Sequence, residues 1–318
     1  MRSDMRRSLA IALGLATLAG PAFAAPTLIL RHAAMSIVVE PENRADIAVE
    51  VWRPNQSLPL DVRQVGEAVI IDGHLDGFLT SCHGSGDNLH ALVLWRGDYS
   101  VQQMPQVIVR APLNAVIQSG AIVRGFVTRS QNLTLNASGC GDWTVANVAG
   151  QLKVGVSGVG DIRTGSAQSA DLGVSGTGDL VVGTVQTEVV AHLSGAGSLT
   201  VRQAGSADLT LSGTGGMTMG PIAGGLTTRL SGTGGLKVDS VAGPVSVDVS
   251  GAGSVKIAGG HASRVDANVS GVGRISFGGV ADALDANVSG VGGVNVARVT
   301  GNVTQHVSGV GRVQVGGP

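Results

Sequence analysis

At 318 residues the chain is longer than most single domains, yet it has 50 glycines, 43% hydrophobic and 3% aromatic residues, and a formal charge of −1. That balance excludes a charge-rich disordered chain and lacks the basic footprint of a nucleic-acid binder. A glycine-rich chain of this length can still bury a continuous core if that core grows in one dimension.

The first 24 residues are predicted to be a secretory signal peptide. Arg2, Arg6 and Arg7 precede an apolar run from Leu9 to Gly20, and Ala22-Phe23-Ala24 supplies the small-x-small cleavage site. The apolar run is too short to anchor the chain in a bilayer. No cysteine follows the cleavage site to take a lipid, and no later segment is long and apolar enough to cross a membrane. An exported protein is expected, periplasmic or at the cell surface, with no transmembrane segment. Three arginines and one aspartate leave with the signal, which takes the formal charge to about −3.

Residues 25–118 are expected to form irregular β-rich opening rungs and an N-terminal cap. Apolar residues alternate at Ile47-Val49-Val51, Leu60-Val62, Val69-Ile71, Leu92-Leu94 and Val107-Val109, as strands do. Most aromatics fall here or at the junction with the regular repeats: Trp52, Phe78, Trp95, Tyr99, Phe126 and Trp143. Cys82 and Cys140 are the only cysteines. An even pair in an oxidising compartment is expected to form a disulfide, tying the irregular region to the first regular corner. His74, Asp76, His83, Asp87 and His90 crowd around Cys82 and raise a metal or redox site as the rival; their spacing matches no zinc pattern.

From about residue 119 to 318 the chain repeats. Ser-Gly-x-Gly recurs with serines at Ser138, Ser157, Ser175, Ser194, Ser212, Ser231, Ser250, Ser270, Ser289 and Ser308, in steps of 18 to 20 residues. A weaker copy begins at Ser119. The residue before each serine is apolar, and so is the fifth after it, from Trp143 and Ile162 to Val294 and Val313. A third apolar stripe lies ten residues on, at Val148, Val185, Ile222, Val241, Val280 and Val299. The expected rung is strand, tight glycine corner, strand, short bend, strand. Stacked rungs make a β-solenoid, and eleven at the strand spacing of about 4.8 Å give a rod on the order of 50 Å.

The repeated serine is read as a structural hydroxyl ladder at the turn. No G-x-S-x-G elbow surrounds it and no histidine recurs at a matching offset. Ser-Gly-x-Gly also lacks the third glycine and the following helix of a dinucleotide fingerprint. Asp142, Asp161 and Asp179 follow three corners, but Ser, Gly or Arg fill that place at the other seven, so calcium is not expected and the aspartates read as solvated turn residues. Asp171, Asp208, Asp266 and Asp285, four residues before their serines, are expected to face water. The five N-x-S/T sequons, at Asn132, Asn136, Asn268, Asn287 and Asn302, carry no inference, since most are by-products of the repeat.

The export signal, the β-rich opening that ends in Pro105-Gln106-Val107-Ile108-Val109-Arg110-Ala111-Pro112, and the tandem L-x-V-S-G-x-G-x-L-x-V rungs together resemble the bacterial GIN-domain family, labelled as adhesin heads of autotransporters. The resemblance implies a three-sided, right-handed parallel β-helix in an exported protein, with no established enzymatic activity and no catalytic residues to transfer. An autotransporter also needs a membrane β-barrel. The sequence stops at Val313-Gln314-Val315-Gly316-Gly317-Pro318, so periplasmic residence is expected to compete with surface display. The last rung, with no extension over it, is expected to pair with a second copy or a partner.

The leading functional expectation is a non-enzymatic binding or structural surface of the cell envelope, adhesin-like, for a polysaccharide or protein ligand, with no cofactor, no metal and no nucleic acid. A carbohydrate-active β-helix enzyme is one alternative. It needs clustered carboxylates and aromatic sugar platforms, whereas the regular rungs show scattered charge and only Trp143 and Phe277. A periplasmic scaffold is another. An ice- or mineral-binding face would need one outward Thr or Asp column on every rung, and Thr177, Thr214 and Thr233 are interrupted by Val, Ala and Cys.

Overall fold

The computed structural model describes residues 26–316. The expected signal peptide lies outside the described residues. No helix among the described residues is long and apolar enough to cross a membrane.

Alternation of apolar and polar residues on either side of a glycine corner builds a parallel β-solenoid. Its coils stack in register: Val174, Leu193, Leu211, Leu230, Val249, Val269, Val288 and Val307 form one column before the corner. Ile162, Leu180, Leu199, Met217, Leu236, Val255, Ile275, Val294 and Val313 form the column after it. A third, narrower side is held by bridges that link Ala167, Val185, Ala204, Ile222 and Val241. One continuous apolar core runs along the axis from Leu28 to Val296. Each coil buries one face of each strand and leaves the alternate side chains to solvent, the period-two pattern of a half-buried strand. The third stripe shifts near the end. Val280 is half-buried and Ala281 takes the buried place, because the coil between Ser250 and Ser270 carries one more residue and is irregular before His261.

Most corner glycines answer to close approach rather than to backbone sign, though Gly141 and Gly160 also have positive φ. A Cβ on Gly213 would sit 2.0 Å from the Gly195 carbonyl oxygen, with no positive φ involved. The same clash recurs down the column, at Gly232 against Gly213 and at Gly251 against Gly232. Any side chain there would push two coils apart and break the ladder.

The coil order departs from chain order at the N-terminal end. β1 (Thr27–Glu42) is a full coil, and its two halves pair in parallel with β9 (Asn114–Val127). On its other side it pairs with β4 (Ala68–Asp72) and β8 (Gln106–Pro112), which together make the outermost coil. The N-terminal strand is thus inserted between coils formed by later sequence. β2 (Ala48–Arg53) and β3 (Asp61–Val65) then run antiparallel along β8 and β4. Antiparallel strands there interrupt the parallel stacking.

At the corner of the outermost coil, where later coils have Ser-Gly-x-Gly, the chain inserts residues 73–105. These carry a separate antiparallel sheet of β5 (Leu79–His83), β6 (His90–Val93) and β7 (Gly97–Ser100). Its inner side forms a second small core, with Leu75, Leu89, Ala91, Val93 and Met104 packed on Ala34 and Ile122 at the corners of the coils below. Cys82 and Cys140 are bridged, with Cα atoms 6.3 Å apart. At the far end, Val303–Val307 and Arg312–Val315 have no coil beyond them among the described residues.

Two glycines of one coil test the packing constraint. Gly213→Ala is expected to destabilise by about 1–3 kcal/mol, the usual cost of overpacking. Gly216→Ala, whose Cβ would meet nothing nearer than 3.8 Å, is expected to be neutral or mildly stabilising. Thermal or urea unfolding of the pair checks it; equal losses would mean the corner tolerates a side chain.

Candidate binding surface

Once apolar columns are buried and glycines line the corner, the residues left outside are those between the two corner glycines and the alternate positions of the next strand. The first set forms a ridge, with Val272, Val291 and Val310 exposed by 65%, 61% and 85%. The second set changes character along the rod: Asp161 and Asp179 toward one end, with the equivalent Asp142 buried, then Ser198, Gly216 and Gly235, then Ser254, Arg274, Gly293 and Arg312. Two residues further on lie Thr218, Lys237 and Lys256. Between ridge and strand runs a shallow open groove, seen as adjoining depressions of about 690 and 720 Å3 that share Ala252, Gly253 and Ser254. Lys237 and Lys256 line the first, Arg274 and Arg312 the second. Lys237 and Lys256 pair across neighbouring coils, so their stems leave the surface one strand spacing apart. None of the four cations has an acidic partner among the described residues, unlike Lys153, Arg163, Arg229 and Arg264.

The groove is closed at its N-terminal end by the inserted sheet, whose second core and disulfide cover the corners at Ala34, Ile122 and Cys140. It opens from Val159 onward, where the ridge is again 60% exposed. Residues 97–220 match the family model described as “Putative auto-transporter adhesin, head GIN domain”. Over this segment the chain is similar to that family. The GIN segment begins in β7 and takes in the corners from Ser119 to Ser212; the same coil continues beyond it, in the same register, to Val315. No curated protein and no solved structure matches the chain.

All ten repeat serines lie at the corner with their residues exposed. Their backbone N–H groups bond the coil before, as Ser212 N–H does to the Leu193 carbonyl at 2.9 Å. Only Ser138 and Ser175 also donate their hydroxyls to such a carbonyl, at 3.3 and 3.4 Å. The hydroxyls therefore form an outward ladder rather than the closure of the turn. On the same side, Asn268 donates to Asp248 at 2.7 Å and Asn287 donates to Asn268 at 3.0 Å.

The corner aspartates are not simply solvated. Asp142 is buried, and its carboxylate accepts from the N–H groups of Gly86 and Asp161. Asp179 accepts from the N–H and hydroxyl of Ser198. Each fastens its coil to the next. Asp171, Asp208, Asp266 and Asp285 do reach the surface and pair with Lys153, Arg229 and Arg264, contacts worth little individually in water.

The residues that crowd around Cys82 in sequence separate in space. Asp87 pairs with Arg124 at 3.2 Å. His83 and His90 stack across β5 and β6 with ring centroids 5.0 Å apart, and Asp98 of β7 joins them. His74 and Asp76 join a different group, around the first corner. There His32 and His74 both adopt left-handed backbone, each with φ 49°, in the place that glycines occupy elsewhere. Asp72, whose side chain is 4% exposed, accepts from the His74 N–H at 3.0 Å, from Arg31 Nε at 2.8 Å and from Arg63 at 3.2 Å. The Asx-type bond to His74 stabilises that turn. Burial pushes the Asp72 carboxyl up, but the His74 N–H and the Arg31 guanidinium together hold it below the usual aspartate range. Asp72 is thus an ionised keystone rather than a proton donor.

Asp72→Asn is expected to cost about 1–3 kcal/mol at neutral pH, the worth of hydrogen bonds to a charged group. Because the folded-state value is depressed, this contribution is complete above the unfolded value of about 3.9 and fades as pH falls through the folded one. Urea unfolding of both proteins from pH 7 down to pH 3 should show their difference shrinking with acid; a constant difference would contradict the electrostatic account.

Proposed function

We propose that the protein is an exported, non-enzymatic β-solenoid of the cell envelope that binds an extended anionic polymer, such as an acidic polysaccharide, along the corner groove. The observation that carries this is the set of four cations without acidic partners along the groove: Lys237 and Lys256 in the depression that Asp179 also lines, and Arg274 and Arg312 in the adjoining one, beside the apolar ridge of Val272, Val291 and Val310. Cations repeated along the strand spacing suit acidic groups repeated along a chain, and the valine ridge suits the apolar faces of sugar rings. The groove is open along its length, which suits a polymer better than a small molecule. No aromatic side chain lines it, so it lacks the stacking platform of single-stranded nucleic-acid sites. The adhesin-head description of the GIN segment and the disulfide agree with an exported binding protein. The aspartates at the solenoid corners hold the fold: Asp72 is clamped between arginines, and Asp142 and Asp179 bond neighbouring coils.

Binding of the mature chain to a polyuronate, a neutral glucan and single-stranded DNA tests the reading. Binding to the polyuronate alone is expected, weakening as salt rises and largely abolished in Lys237→Glu/Lys256→Glu/Arg274→Glu. Equal binding to the neutral glucan or to DNA would overturn the anionic-polysaccharide assignment, and release of new chain ends would overturn the non-enzymatic one.

Protease treatment of intact cells, with a cleavage site inserted between the exposed Ala45 and Asp46, tests location. Cleavage is expected for a surface rod. Protection until the outer envelope is opened would make the protein a periplasmic scaffold.

A further inference from the structure

The inserted sheet carries three potential metal ligands on its outer face. β5, β6 and β7 are short, and their inner residues, Cys82, Ala91 and Tyr99, face the second core. Period-two alternation then turns His83, His90 and Asp98 outward together. His83 and His90 are direct cross-strand partners; Asp98 pairs with Leu92, which places it diagonally across from His90.

Their donor atoms are already close to a coordination polyhedron. His83 Nε2 lies 3.5 Å and His90 Nδ1 3.2 Å from the same oxygen, Asp98 Oδ2, and the three ligand atoms lie within 4.8 Å of one another. With bonds of about 2.0–2.2 Å to nitrogen and oxygen, a tetrahedral site separates its ligands by about 3.3–3.5 Å. The 3.5 Å edge to His83 matches that separation, and the 3.2 Å edge to His90 is slightly shorter. His90 Nδ1 is shielded from solvent and makes no hydrogen bond, and its nearest acidic atom is the same Asp98 oxygen at 3.2 Å. The backbone that carries the site is anchored from behind, since Cys82, between Ser81 and His83, is bridged to Cys140.

We propose that His83, His90 and Asp98 form a site for a borderline-soft divalent transition metal, with Zn2+ as the best fit. Imidazole nitrogens disfavour Ca2+ and Mg2+, which take oxygen ligands. Three protein ligands leave a fourth position open, and His83 lies 59% exposed beside it. Water or an acidic group of a bound molecule fills that position. The metal joins all three strands on the outer face, as the disulfide ties the sheet to the solenoid on the inner face.

Calorimetric titration of the mature chain, free of any histidine tag, with Zn2+ tests the site. One ion per chain is expected, together with a rise in melting temperature and, on Co2+ substitution, the intense visible bands of tetrahedral geometry. His83→Ala and Asp98→Asn should each weaken binding by about tenfold or more, at least the loss typical of removing a supporting ligand contact. His306→Ala, in the last coil, should leave it unchanged. An intact disulfide and unchanged circular dichroism establish that the variants are folded. Absence of Zn2+ binding at millimolar concentration in the wild type would overturn the assignment. So would wild-type affinity in a folded His83→Ala/His90→Ala chain.

Discussion

Successive backbones meet at the corner with no room for a Cβ between them, and the solenoid is organised around that contact. A carbonyl of one coil occupies the space that a side chain of the next would need, as between Gly195 and Gly213. Glycine is costly in chain entropy, and fifty of them would not hold an isolated strand. The cost is offset only when coils stack, because each then buries its three apolar positions against its neighbours and completes their hydrogen bonds. Stability is therefore a property of the array rather than of any one repeat.

The same contact determines where variation is tolerated. The corner glycines and inward columns are constrained by packing; the residue between the glycines and the alternate strand positions are not. Those free positions carry the chemistry. At the first regular corner the free residue is Cys140, which receives the disulfide from the inserted sheet. In later coils it is Val, Thr or Ala and finally Val again, beside a strand with one outward column that passes from aspartate to arginine and a second that carries Lys237 and Lys256. The net charge hides this polarity because the acidic and basic stretches nearly cancel.

The N-terminal end solves the problem of an exposed parallel edge by a change of order. β1 is enclosed between two coils, while β2 and β3 lie antiparallel along the outermost one. The 73–105 insertion then covers the corners of the early coils with its own small core. At the first corner Gly73 still stacks against the His32 carbonyl, while His32 and His74 take the left-handed backbone and Asp72 binds the turn and two arginines.

Period-two apolar residues and a glycine corner every 18 to 20 residues were sufficient, by themselves, to determine a stacked parallel solenoid, its register and its inward columns. The Cys82–Cys140 bridge was legible too, since a chain with two cysteines has one intramolecular pairing to make. What the repeat could not carry was anything that joins distant or differently directed strands. The insertion of β1 between later coils is invisible because a strand shows the same alternation wherever it stacks. Asp142 and Asp179 read as solvated because their partners are backbone N–H groups a whole coil away. His83, His90 and Asp98 match no ligand spacing because they come from three antiparallel strands, whose approach depends on pairing rather than on distance along the chain. Local periodicity decides what each residue faces; only the stacked and folded chain decides what it meets.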